Sequence, residues 1–177
     1  MTVLRYILCA FSVLSILAAS HSHADSHQKE SDIKAAIIFN LARFTDWPES
    51  SHHNEGNHFS LCSHASKGME TALDGLAGKT LHGRTLEIVH IKDLDDVSDM
   101  CEIFFISNLP DRLDFNSLHS KGMLTMSDHP GFTYEGGGMS IQRQGKKIRF
   151  SINSAALKDA GVKPSSKILS LAVEPPR

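Results

Sequence analysis

Charge of a single sign is what this sequence most plainly lacks. Over 177 residues the formal net charge is −2, and no block of five or more like charges occurs. Binding to phosphates needs a basic footprint, so no nucleic-acid partner is expected. Long apolar runs are also scarce: after the first, Tyr6 to Ala19, no second one follows. Cysteine is limited to three residues and tryptophan to one, and no CxxC pair marks a zinc site. The motifs G-x-S-x-G, G-x-x-x-x-G-K-[ST], H-E-x-x-H and G-x-G-x-x-G are all missing, which removes the familiar hydrolase, nucleotide and zinc-protease signatures. What remains, 41% apolar and 21% charged residues, is ordinary for one globular domain.

The first apolar run has the layout of an export signal. Arg5 supplies a positive start, Tyr6 to Ala19 the apolar core, and Ser22-His23-Ala24 small residues before a cut after Ala24. A cut after Ser20 is the second choice. The run is short for a bilayer span, so residues 1–24 are read as a signal peptide and 25–177 as a single exported domain with its core at about 33–172. Export leaves Cys62 and Cys101, and two thiols in an oxidising compartment are expected to pair. A disulfide is favoured over a reactive thiol or a metal site.

The chain is organised around Ile33 to Pro48. Ile33, Ala36, Ile37, Leu41 and Phe44 recur at helical spacing with Asn40 on the same stripe. Only Lys34 and Arg43 read as clearly wet, so the helix is expected to be buried on most sides. Pro48 sets its end, and Trp47 is expected to clamp it to the core. Asn40 reads as a buried amide satisfying backbone groups rather than as a ligand contact.

Beyond it, strand-like and helical stretches alternate. A strand at Phe59 to Cys62 precedes a helix with Met69, Ala72, Leu73 and Leu76 inward. Extended segments follow at Lys79 to Leu81 and Arg84 to His90, then a short acidic helix at Asp93 to Asp99. Ile103 to Ile106 is a continuous apolar run, as in a strand covered on both faces. A helix at Asp111 to Ser120 and a strand at Met123 to Met126 continue the alternation, which predicts a largely parallel α/β sheet. Gly138 to Gln142 and Lys147 to Ile152 then form an edge hairpin. Asn153 or Ser154 caps a helix ending at Gly161, and Pro164-Ser165-Ser166 starts the last one, with Ile168, Leu169 and Leu171 available for packing. The fold class is therefore α/β: one three-layer domain, a mostly parallel sheet flanked by helices, with a C-terminal β-hairpin at the sheet edge.

The chemical candidates each have a plainer reading. His52, His53, His58 and Glu55 lie in a polar loop that is not preorganised for a metal, and the acidic stretch from Asp93 lacks a calcium-loop pattern. Gly136-Gly137-Gly138 precedes a strand, whereas a phosphate cradle needs a helix amino terminus behind it, so free backbone approach in a turn explains these glycines better. Ser127-Asp128-His129 places a hydroxyl, a carboxylate and an imidazole side by side. Adjacent residues rarely converge as a triad, however, and a turn with Asp128 bonding local amides fits better.

In their order and spacing the segments resemble the YfiR-like family of small exported regulators. The matching stretches begin with Lys34-Ala35-Ala36, Asn40, Phe44-Thr45-Asp46-Trp47-Pro48 and Leu76-Ala77-Gly78-Lys79-Thr80. They continue with Cys101 before Ile103 to Ser107, Thr125-Met126-Ser127-Asp128 with Gly131-Phe132, and Gly137-Gly138-Met139. Ile148 to Asn153 and Ser165 to Leu169 close the pattern. The resemblance implies a domain without enzymatic activity or cofactor that can form a homodimer in the periplasm. It implies repression of an inner-membrane diguanylate cyclase, or another membrane sensor protein, through contact with its periplasmic region. An outer-membrane lipoprotein would act as antagonist, raising cyclic-di-GMP and favouring biofilm. The Cys62–Cys101 pair matches a cysteine pair of the family; a second pair found in some members is missing, so redox control through that bond does not carry over. Partner contact is expected at the glycine-flanked Met139 and Ile141 and on the hairpin strand at Ile148, Phe150 and Ile152. The rival readings are a periplasmic small-ligand or metal-binding sensor using strand ends near Asn40, Ser107 and Asp128, and a hydrolase built on Asp128 and His129.

Overall fold

The computed structural model describes residues 26–48, 57–97, 101–110 and 113–174. The expected signal peptide with its cut after Ala24, the loop holding His52, His53 and Glu55, and the end of the tail lie outside them.

The first helix, α1, covers residues 26–43. It buries Ala35, Ile38, Leu41 and Ala42, which recur at helical spacing on one face. Of the stripe beginning at Ile33, Leu41 is buried and Ile37 packs against the core, but the rest of it faces outward. Ile33 is 51% exposed and Phe44 45%, and Ala36 and Asn40 are also outside. Small alanines let the helix approach the sheet closely, and that contact decided between two faces of nearly equal apolarity. Asn40 is not the buried amide expected: its side chain donates to the Ala36 carbonyl on the helix surface. Trp47 meets Phe59 edge to face at 5.1 Å, and so does anchor the end of the helix.

Among the described residues nine strands follow the alternation of the chain. They are β1 (Thr45–Asp46), β2 (His58–His64), β3 (Thr80–Leu81), β4 (Arg84–His90), β5 (Ile103–Ile106), β6 (Leu124–Ser127), β7 (Met139–Gln144), β8 (Lys147–Ile152) and β9 (Lys163–Pro164). The helices between them are α2 (Lys67–Asp74), α3 (Phe115–Ser120), α4 (Ser154–Asp159) and α5 (Ser166–Leu171). The main sheet has the order β3-β4-β2-β5-β6-β7-β8. Its five middle strands run parallel, and antiparallel pairs close both edges. A separate antiparallel pair, β1 with β9, ties the end of α1 to the C-terminal region. The domain is thus an α/β structure with helices on both faces of a mostly parallel sheet and a C-terminal hairpin at one edge.

β5 shows why an uninterrupted apolar run was needed. Ile103 and Phe105 face a cluster with Ile38, Leu41, Met69, Leu73 and Leu157. Phe104 and Ile106 point the other way, to Met123, Phe132, Leu118 and the cysteines, as the two-residue period of a strand requires. Cys62 and Cys101 form a disulfide across β2 and the start of β5, with Cα atoms 5.7 Å apart.

Capping follows the expected pattern. The Asn153 side chain accepts from the amides of Ala155 and Ala156 at the start of α4, and the Ser165 hydroxyl accepts from the Ile168 amide at α5. Of the packing residues expected in α5, only Ile168 is buried; Leu169 and Leu171 are 48% and 56% exposed. Within the described residues the acidic stretch forms a single 3₁₀ turn, Leu94–Asp96, whose Asp95 amide donates to the Asp93 carboxylate. Among the described residues no helix is long and apolar enough to cross a membrane.

Candidate functional site

In open α/β sheets, ligands gather where the strand order reverses, outside the carboxyl ends of the strands. Here that point lies beside β2, which has β4 on one side and β5 on the other. A cavity of about 390 Å³ opens nearby, lined by Gln28, Glu30, Lys34, Ser66, Gly68 and Asp128 among others. Lys34 is not the wet residue of the sequence reading: its side chain is 13% exposed and reaches Asp128 at 2.9 Å and Glu30 at 3.0 Å. Arg143, from the hairpin, joins Glu30 at 2.8 Å. Burial alone pulls the Lys34 pKa down, but the bonds to Asp128 and Glu30 outweigh it and raise the value above normal. Burial pushes Glu30 up, and its bonds to Lys34 and Arg143 reverse this and lower it. The charges of this cavity are therefore matched with one another and clasp α1 to β6 and the hairpin.

The ligand-sensor residues do not assemble there as a set. Asn40 lines a different surface hollow with Asp32 and Lys79. The Ser107 hydroxyl is buried with no hydrogen-bond partner among the described residues. Asp128 is committed to Lys34 instead of to local amides. The turn is made by Ser127, whose hydroxyl donates to the Ile106 carbonyl and accepts from the His129 amide. Gln142 then holds the His129 carbonyl at 2.8 Å. A hydrolytic pair of Asp128 and His129 has no support in this arrangement.

The fold does build one Ser-His-Asp relay, from residues that sequence reasoning passed over. Ser63 Oγ lies 2.9 Å from His90 Nδ1, and His90 Nε2 lies 2.7 Å from Asp74 Oδ1. The three come from β2, β4 and α2, as a triad's members do, but the nitrogens are used in the opposite sense to serine proteases. Ser63 is wholly buried within the sheet, so no substrate carbonyl reaches its hydroxyl. The relay fastens α2 to the sheet. Nothing in the spacing of Ser63, Asp74 and His90 marks it, because the β2–β4 register aligns Ser63 with His90 and the end of α2 brings Asp74 to them.

A second polar centre lies on the other face. His119, 3% exposed, places Nε2 3.0 Å from Thr125 Oγ1, and that oxygen accepts the Gly138 amide at 2.9 Å. Burial holds the His119 pKa below its usual range, with Asp159 partly opposing. Next to it is a hollow of about 410 Å³ with Asp114, Glu135 and Asp159 at its walls. Among the described residues no group of three or more histidine, cysteine or carboxylate side chains is placed to hold a metal.

The hairpin edge was the expected partner surface. Met139 and Ile141 are fully buried and belong to the core, where no partner touches them. Residues 139–142 of β7 are buried in succession, and the two-residue period of the strand turns Met139 and Ile141 into the cluster that holds Ile38, Leu41 and Leu157. Ile148, Phe150 and Ile152 are half-buried on β8, the outermost strand of the sheet. Arg143, Lys146, Lys147 and Arg149 stand exposed around the same hairpin.

Comparison with known families agrees with this architecture: residues 31–173 match the family model described as YfiR/HmsC-like. Comparison with curated proteins gave no match.

Proposed function

The chain belongs to the YfiR/HmsC-like family, and from that premise we propose that it represses an inner-membrane diguanylate cyclase by binding the cyclase's periplasmic sensor region. At the level of the family this is a periplasmic regulator of diguanylate cyclase signalling, and the finer reading adds the partner and the sign of the effect. Held in place, the protein keeps cyclic-di-GMP low and biofilm formation down; an outer-membrane lipoprotein relieves the repression by taking the protein away. Its working form is an exported homodimer, released from residues 1–24 by a cut after Ala24.

The observation that carries this reading is the match over residues 31–173, which spans nearly every described element. The chemistry is compatible with it. A repressor needs a surface with different affinity for two states of its target, and no reacting group. The one Ser-His-Asp relay among the described residues has its hydroxyl sealed inside the sheet. The half-buried β8 residues Ile148, Phe150 and Ile152 are the contact surface assigned to the partner.

The test is retention of membrane proteins on the tagged mature protein, read by mass spectrometry. A retained membrane protein with a cytoplasmic cyclase domain is the expected result. Retention of none, across low and high salt and oxidised and reduced protein, would overturn the proposal.

A further inference from the structure

Between Glu135 and Asp159 the chain has no acidic residue, yet it carries Arg143, Lys146, Lys147, Arg149 and Lys158. Four of these crowd the β7–β8 hairpin, and only Arg143 has an ion-pair partner among the described residues, Glu30. A protein of net charge −2 thus concentrates positive charge at one end of its sheet. That end is also open. Among the described residues β8 has a neighbouring strand on one side only, and its outer edge receives one main-chain bond from elsewhere, Val173 N–H to the Phe150 carbonyl at 2.9 Å. The segment making this bond is lightly held: α5 before it buries Ile168 alone, and Ala172 is already extended (φ −64°, ψ 141°).

We propose that the outer edge of β8 accepts an extended, acidic segment of the partner as an added strand, and that residues 172–174 are a strap which leaves this edge when the segment pairs. The proposal rests on the partner-contact reading above and specifies its mode and chemistry. Strand addition uses main-chain bonds for affinity and alternate side chains for selection. On one face an added strand meets Lys147 and Arg149; on the other it lies beside Ile148, Phe150 and Ile152. A segment alternating carboxylates with apolar residues satisfies both faces. The same charges discourage a second copy: antiparallel pairing of two β8 edges around Ile148 would set Lys147 of each against Arg149 of the other. Selection and protection from self-pairing therefore come from the same side chains.

The test is a titration of the purified oxidised protein with short labelled peptides, followed by fluorescence anisotropy. One peptide alternates Glu with Val, one Lys with Val, and one Glu with Pro, which keeps the charge but cannot donate along the strand. Val173→Pro removes the strap's N–H, and the extended Ala172 before it suits a proline. Val173→Ala keeps the N–H. A chain ending at Ala172 is a second strap-free form should the proline variant fold poorly. Freeing the edge is expected to tighten Glu–Val binding roughly threefold to tenfold over the parent and over Val173→Ala, the value of one net hydrogen bond. Adding Lys147→Glu and Arg149→Glu is expected to abolish this preference and favour the Lys–Val peptide. Equal binding of the Glu–Pro and Glu–Val peptides, or no gain in either strap-free form, would overturn the proposal. Binding only to phosphatidylglycerol vesicles would overturn it too, and would make the hairpin a lipid contact. No cyclase enters this titration, so its failure leaves the cyclase reading standing. Conversely, failure of the membrane retention leaves the peptide result intact.

Discussion

Single residues set two stability properties of this domain. His119 is buried neutral beside Thr125, its pKa lowered by desolvation. A base whose folded pKa lies below its unfolded value contributes stability that is present above the unfolded value, near 6.5, and is lost as pH falls through the folded one. Urea midpoints should therefore drop between neutral pH and pH ~5, the side on which an exposed histidine becomes protonated, and His119→Gln, which can still bond Thr125, should flatten that slope. An unchanged slope in the variant would assign the acid loss elsewhere. Gly137 is the second case. A methyl there would overlap the ring of Phe132, itself fully buried, so Gly137→Ala should destabilise by about 1–3 kcal/mol through overpacking, read as a lower urea midpoint. That glycines in this turn permit close backbone approach was legible in the sequence, since a strand and not a helix follows them. The role of Lys34 was not legible. A lysine between Ile33 and Ala35 reads as solvent-facing until Asp128, far along the chain, is brought to within 2.9 Å of it.

At the scale of elements, α1 and the disulfide carry the clearest tests. The helix was recognisable from its apolar period, but its inner face was not. The stripe Ile33, Ala36, Ile37, Leu41 and Phe44 is as regular as Ala35, Ile38, Leu41 and Ala42; the two share Leu41, and only contact with the sheet separates the rest. Leu41→Ala should cost about 2–5 kcal/mol as a core truncation, whereas Ile33→Ala should stay within about 0.5 kcal/mol as a surface change. Equal losses in urea unfolding would contradict the observed face. Cys62–Cys101 closes a loop with a sequence separation of 39, for which the chain-entropy model gives about 4 kcal/mol. Cys62→Ser with Cys101→Ser should lower stability by about 2–4 kcal/mol, and the oxidised parent should show no alkylatable thiol from this pair when unfolded without reductant. The pairing was legible because two cysteines remain beyond the expected signal peptide, each in or beside a strand-like segment. The Ser63-His90-Asp74 relay was not, because strand register and the end of α2, not spacing, assemble it.

Across the whole molecule, alternation of apolar strands and short helices sufficed for the α/β class, the parallel sheet and the edge hairpin. Strand order was beyond it, since nothing local says that β2 lies between β4 and β5. The same limit put Met139 and Ile141 on the expected contact surface: they sit next to glycines in sequence but are buried in the core. The central claim is that this domain regulates a membrane cyclase by contact and not by chemistry. The most direct measurement is intracellular cyclic-di-GMP in a strain lacking this protein, compared with a strain lacking both the protein and the membrane cyclase it retains. The account predicts a rise of severalfold in the first, return to the parental level in the second, and restoration of the first by the oxidised protein supplied to the periplasm. An unchanged level in the first strain, or a rise that persists without the cyclase, would contradict it.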